Sequence, residues 1–143
     1  MNAFVNKAKK LFTADMLALL VFDITTGIMV VAYEYWFVNF DTEHIVLVRV
    51  LYMSKFIGAR ICGRWTNMLR KYIAGNSRSL FQKALADTLA VSSYQAPLYI
   101  LSALIAGMSW GDIRVALFIF GVNALLLGWV YGHVLDYMRR KII

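Results

Sequence analysis

Four runs of apolar residues, at 12–36, 45–63, 81–106 and 113–137, fill most of this 143-residue chain. Each is close to the roughly 20 residues that an α-helix needs to cross a hydrocarbon core of about 30 Å. Inside lipid every backbone N–H and C=O must find its partner within the protein, so runs of this kind fold as membrane-spanning helices. Hydrophobic residues make up 61% of the chain and charged residues 16%, against roughly 45–50% and 25% in soluble domains. That balance excludes an ordinary soluble domain. The expected architecture is an all-α integral membrane protein with four transmembrane helices, in a single membrane domain over 1–143.

The polar breaks at 39–44 and 107–112 are short and make two tight antiparallel helix pairs, while the break at 64–79, with Gly75-Asn76-Ser77, is the linker between the pairs. The apolar run after Lys7, Lys9 and Lys10 continues past Asp23 to Trp36, too long for a signal peptide core, and is expected to be a retained helix. The net charge of +7 arises beside the apolar spans and not on a polar surface with interleaved aromatics, which argues for membrane orientation and against nucleic acid. Lys7, Lys9, Lys10, Arg64, Arg70, Lys71, Arg78, Lys83 and Arg139 to Lys141 all fall on one side of a four-span arrangement. Arg49 and Arg114 fall on the other, beside Asp41, Glu43 and Asp112. The positive-inside rule then makes both termini cytoplasmic and leaves Tyr33, Tyr35, Trp36 and Trp110 as outer aromatic anchors.

The chain repeats itself. Ala14-Asp15-Met16-Leu17-Ala18 recurs as Ala86-Asp87-Thr88-Leu89-Ala90, and Gly63 corresponds to Gly132. Repeat one, about 12–72, and repeat two, about 80–141, each hold two helices and so share one orientation in the membrane. They should be related by a pseudo-two-fold axis along the membrane normal, with the midplane between them as the natural place for a site.

Asp23 and Lys55 each lie about nine residues, roughly 13 Å, inside their helices and could meet. Intramembrane charges are functional candidates by default, although a mutually neutralised pair that specifies helix pairing accounts for them equally well. Arg60, nearer the interface, reads as a snorkelling side chain. In helix 3, Ser92-Ser93-Tyr94-Gln95-Ala96-Pro97-Leu98-Tyr99 ends in strongly polar character at the single proline. Pro97 should deprive the Ser93 carbonyl of its helical partner, and the ammonium group of a small substrate could replace it, with Tyr94, Gln95 and Tyr99 completing a pocket. A kinked packing helix is the plainer alternative. Asp15 and Asp87 occupy equivalent positions near the starts of helices 1 and 3, and carboxylates partly withdrawn from water suit proton exchange; the helix dipole alone could also favour them. The small residues of Gly128-Trp129-Val130-Tyr131-Gly132 suit close helix contact. Nucleophile, phosphate-loop and metal-ligand patterns are missing from the sequence, so neither enzymatic activity, a cofactor nor a metal is expected.

The second repeat resembles the L-alanine exporter family of small bacterial inner-membrane proteins. The likeness runs through Leu85-Ala86-Asp87-Thr88-Leu89-Ala90, Tyr94-Gln95-Ala96-Pro97-Leu98-Tyr99, Trp110, and the stretch from Gly128 to Arg140, which includes Gly132, Asp136 and Arg139. The first half is similar in Ala14-Asp15 and Arg49, and departs from the family in the charges of Asp23 and Lys55. The resemblance implies export of L-alanine and close small amino acids across the inner membrane, driven by the proton motive force. Asp15, Asp87 and Asp23 are then the proton-coupling candidates. Ser93, Tyr94, Gln95, Pro97, Tyr99 and Lys55 are candidates for binding substrate, and Asp136 with Arg139 for a cytoplasmic ion-pair gate.

Four helices build little wall around a cavity, so a homo-oligomer in the lipid bilayer is expected. Two other functions fit the same residues: proton-coupled efflux of amphipathic cations, which Lys55 disfavours, and a non-transporting membrane assembly protein in which Asp23 and Lys55 only lock helices together.

Overall fold

The computed structural model describes residues 2–76 and 79–142, so Ser77 and Arg78 of the expected linker lie outside the described residues. Most of the described residues are helical, in five α-helices: α1 (Asn2–Trp36), α2 (Thr42–Tyr52), α3 (Ala59–Leu69), α4 (Leu80–Ile105) and α5 (Trp110–Ile142). Three stretches are long and apolar enough to cross a membrane: Val5–Trp36, Leu80–Ile105 and Trp110–Ile142. They correspond to the first, third and fourth expected crossings.

The second expected crossing, 45–63, is not one helix, which corrects the four-helix expectation. α2 ends at Tyr52, a 3-10 turn covers Met53–Phe56, and α3 begins at Ala59. The cause lies in a neighbouring helix. The Tyr94 hydroxyl of α4 donates to the Lys55 carbonyl at 2.6 Å, where an α-helix would supply a backbone N–H. Around it the bonds tighten to the 3-10 spacing, from Ile57 N–H to Ser54 O and from Gly58 N–H to Lys55 O, each 3.1 Å. Gly58 permits the approach, because a Cβ there would fall on the Tyr94 hydroxyl. Tyr94→Phe should therefore leave the Lys55 carbonyl with the Gly58 N–H as its donor and lower stability by about 0.5–1.5 kcal/mol, the worth of one hydrogen bond. Thermal unfolding of the purified protein in detergent checks this, and an unchanged midpoint would remove Tyr94 as the cause of the break.

The ends of the helices follow their local chemistry. Asp41 caps α2 by accepting the His44 N–H at 2.9 Å, and that bond, with the His44 ring beside it, holds the Asp41 carboxyl below the ordinary aspartate range. α4 stops at Gly107, whose φ is +86°: the Gly107 N–H reaches Leu104 O at 3.0 Å and the Met108 N–H reaches Ala103 O at 2.9 Å. This is the double bond of a glycine-terminated helix. The Ser109 hydroxyl then accepts the Asp112 N–H at 3.2 Å and starts α5.

α1 and α4 both pack along α5, and the interior divides into two apolar clusters. One, built on Phe22, Cys62, Val91, Tyr131 and Leu135, lies toward the end that carries both termini. The other, built on Val30, Val48, Tyr99, Ile113 and Ala116, lies toward the opposite end, beside the 107–109 turn. Ile28, Phe118 and Leu125 are among many large apolar side chains that remain exposed on the outside. Such a surface suits lipid and not water.

Candidate functional site

Between the two apolar clusters the chain buries a polar layer. Lys55, only 2% exposed, forms an ion pair with Asp23, so the two intramembrane charges do meet. Its ammonium group also lies 3.4 Å from the centroid of the Tyr52 ring, a cation–π contact that strengthens when water is excluded. Gln95, fully buried, closes the layer by donating from Nε2 to Asp23 at 3.2 Å and accepting the Tyr52 hydroxyl at 2.8 Å. Every member thus has a partner, which is the condition under which a buried polar group is tolerated.

This layer forms the floor of a cavity of about 460 Å³ between α1 and α2, closed behind by Tyr99 of α4 and Phe120 of α5. Asp23, Arg49 and Lys55 are the charged side chains that line it, and Ile24, Ile28, Val31, Met53 and Phe56 form much of its wall. Of the residues expected to bind substrate, Lys55 and Tyr99 line the cavity, Gln95 supports its floor, and Tyr94 acts on the Lys55 carbonyl from behind. Ser93 and Pro97 are placed elsewhere. Both lie on the exposed face of α4, which continues without interruption through Pro97 to Ile105. The Ser93 hydroxyl bonds the Leu89 carbonyl and accepts the Trp65 indole N–H at 2.9 Å. Of the polar stretch around the proline, Gln95 and Tyr99 thus face the cavity side of α4, and Ser93 and Pro97 the outer side.

Toward the end that carries the termini, the two related aspartates sit in matching ion-pair networks. Asp15 is fully buried and accepts from Arg60 at 2.8 Å and from Arg139 Nε at 2.9 Å, while Arg139 Nη1 donates to Asn67 at 2.9 Å. Arg60 is therefore an ion-pair partner of Asp15 and not simply a snorkelling side chain. Asp87 is gripped at both oxygens by Arg70, from Nε at 2.5 Å and Nη2 at 2.9 Å, and Arg70 Nη1 donates to Asp136 at 2.7 Å. Lys83 also bonds Asp136, at 2.9 Å. A forked guanidinium fits two carboxylate oxygens as a lysine cannot. Glycines make room for both networks: a Cβ on Gly63 would fall on the Asp15 carboxylate, and one on Gly132 on that of Asp87. The two gate candidates fall one in each network, Asp136 with Arg70 and Lys83, and Arg139 with Asp15 and Asn67.

The opposite end of the cavity holds a cluster that the sequence reading overlooked. Glu34 is fully buried, pairs with Arg49, and accepts the Tyr99 hydroxyl at 2.7 Å. The available signal was a carboxylate in the last turns of an apolar run, 15 residues before an arginine in the returning segment. From the sequence Arg49 reads as an outer flanking charge and a point of family likeness, and Glu34 carries no role. Among the described residues, buried ion pairs therefore stand at three levels, with the cavity opening between the second and the third.

The profile of a family described as "AlaE: L-alanine exporter" matches residues 5–143. Among curated proteins, the L-alanine exporter AlaE of Salmonella arizonae is 36% identical over 78 residues, covering 54% of this chain and 52% of that protein. That of Escherichia coli K12 is 36% identical over 86 residues, covering 52% of this chain and 58% of that protein. The match thus spans about half the length of these relatives. No solved structure matches the chain.

Proposed function

The chain belongs to the L-alanine exporter family, and from that premise we propose that it is a multi-pass secondary transporter exporting L-alanine and close small amino acids across the bacterial inner membrane, driven by the proton motive force. The observation that carries this reading is the charge of the cavity lining. One carboxylate, Asp23, and two cations, Lys55 and Arg49, face the same space. A zwitterionic amino acid brings an ammonium group for the first and a carboxylate for the others. An amphipathic cation would meet two positive side chains there, which disfavours cation efflux.

Transport requires a site that opens to one side at a time. The Asp15 and Asp87 networks form the cytoplasmic closure and the Glu34–Arg49 pair the outer one, with both termini cytoplasmic. Protonation of Asp15 or Asp87 removes the charge that holds Arg139 or Arg70, so proton uptake releases the closure. Asp23 is the third carboxylate in the series, at the substrate itself. Two tandem repeats of one orientation account for the symmetry of this arrangement. The relation is supported by Asp15 meeting Arg139 while Asp87 meets Arg70, each aspartate held by an arginine from the other repeat. Related residues also touch one another, as an axis along the membrane normal requires: Asp23 with Gln95, and Cys62 with Tyr131. A homo-oligomer is expected to cover the open side of the cavity, where Ile24 and Ile28 are exposed.

The test is intracellular alanine in exporter-deficient bacteria fed an alanine-containing dipeptide, with empty vector, wild type and Asp87→Asn at matched membrane expression. Wild type should lower the alanine level several-fold, and both a protonophore and Asp87→Asn should abolish the difference. A wild type indistinguishable from empty vector sinks alanine export. Export that survives the protonophore sinks the proton coupling alone.

A further inference from the structure

The cavity is much larger than alanine needs. At about 460 Å³ it falls within the roughly 300–1,000 Å³ of pockets that hold drug-sized ligands. Alanine's single methyl would leave most of its apolar wall without contact, and unfilled apolar space forfeits the dispersion attraction that a fitted group would gain. The wall is made of Ile24, Ile28, Val31, Met53 and Phe56, with Phe120 behind them. The charged groups are few and confined to the interior side: Asp23 and Arg49 remain 20% and 23% exposed, whereas Lys55 is sealed beneath them. One ammonium, one carboxylate and a bulky hydrocarbon group is the chemistry this arrangement complements.

We propose that the substrate class of this exporter includes α-amino acids with apolar side chains of leucine or methionine size, bound by Asp23 at the ammonium and by Arg49 at the carboxylate, with the side chain against the α1 wall at Gly27. This rests on the export reading above and extends its substrates. Gly27 is the determinant because it lines the cavity and a Cβ built there meets nothing within 4 Å. Its missing side chain is therefore substrate space and not packing space. A larger residue at this position shortens the cavity without a clash, and replacing a mid-helix glycine favours α1.

The experiment measures respiration-energised uptake of radiolabelled leucine and alanine into everted membrane vesicles, for wild type and the series Gly27→Ala, Gly27→Val and Gly27→Leu. The leucine-to-alanine rate ratio is the readout, since it cancels expression level and any loss common to both substrates. A single methylene in a hydrophobic pocket is worth roughly 10–200-fold in discrimination. The ratio should therefore fall stepwise with side-chain size, by at least about tenfold at Gly27→Leu. Wild type that carries alanine but not leucine overturns the proposal and leaves alanine export standing. So does a ratio that stays flat along the series, the outcome if a lipid chain or a second protomer occupies this space. Wild type that carries neither amino acid overturns the export reading and this proposal with it.

Discussion

Glu34→Ala is expected to destabilise the protein by about 3–5 kcal/mol, the range for removing one partner of a buried ion pair. Glu34 is fully buried and is the carboxylate paired with Arg49, and it also accepts the Tyr99 hydroxyl. Without it, a guanidinium whose Nε already has no hydrogen-bond partner would face an apolar cluster and the cavity. The loss comes from the stranded cation more than from the missing attraction. The double variant Glu34→Leu/Arg49→Met should accordingly recover most of the stability, because replacing both charges with apolar groups of similar volume is often nearly neutral. Cys62, the single cysteine, is buried in the other apolar cluster, so its reaction with a thiol-specific dye on heating reports unfolding. A Glu34→Ala midpoint equal to wild type would mean that water in the cavity solvates Arg49, and the outer closure would lose its physical basis.

Arg70→Ala should have a large effect on transport. One guanidinium neutralises two carboxylates, Asp87 and Asp136, and also donates to the Gly132 carbonyl at 3.2 Å. Its removal leaves two acids close together with Lys83 as their remaining cation. Alanine export is expected to fall by more than about tenfold, equivalent to roughly 1.4 kcal/mol at the rate-limiting step. Arg70→Lys should restore only part of it, since an ammonium cannot grip both Asp87 oxygens. Adding Asp136→Asn to Arg70→Ala relieves one of the two stranded charges and should restore another part. Asn67 already plays that neutral role opposite Arg139 in the Asp15 network. Full export by Arg70→Ala, at matched membrane expression, would reduce the network to packing.

Much of this site could be read along the chain, because the membrane makes single residues informative. Asp15, Asp23, Lys55 and Asp87 stand out as charges within apolar runs, and the recurrence of Ala-Asp with a matched glycine marks the two aspartates as equivalents. Depth along a helix follows from residue count, which is why Asp23 and Lys55 could be expected to meet. Glu34 does not stand out in the same way because it lies near the end of its run, where a carboxylate can reach water. Pro97 shows a related limit: a proline changes its own helix, but the face on which it lies, here the exposed one, depends on what that helix packs against.

The sequence by itself determined that the chain is a helical membrane protein and how far along its apolar run each charge lies. Those properties come from residue type and spacing, which lipid and the helical rise convert directly into structure. Only the tertiary structure decided which arginine holds which aspartate, that the second apolar run breaks at Lys55, and that a large apolar cavity opens over the Asp23–Lys55 pair. Each of these depends on a group from a distant helix, as with the Tyr94 hydroxyl at the Lys55 carbonyl. Spacing along one helix fixes the face a side chain occupies, but it carries no information about which face of another helix will meet it.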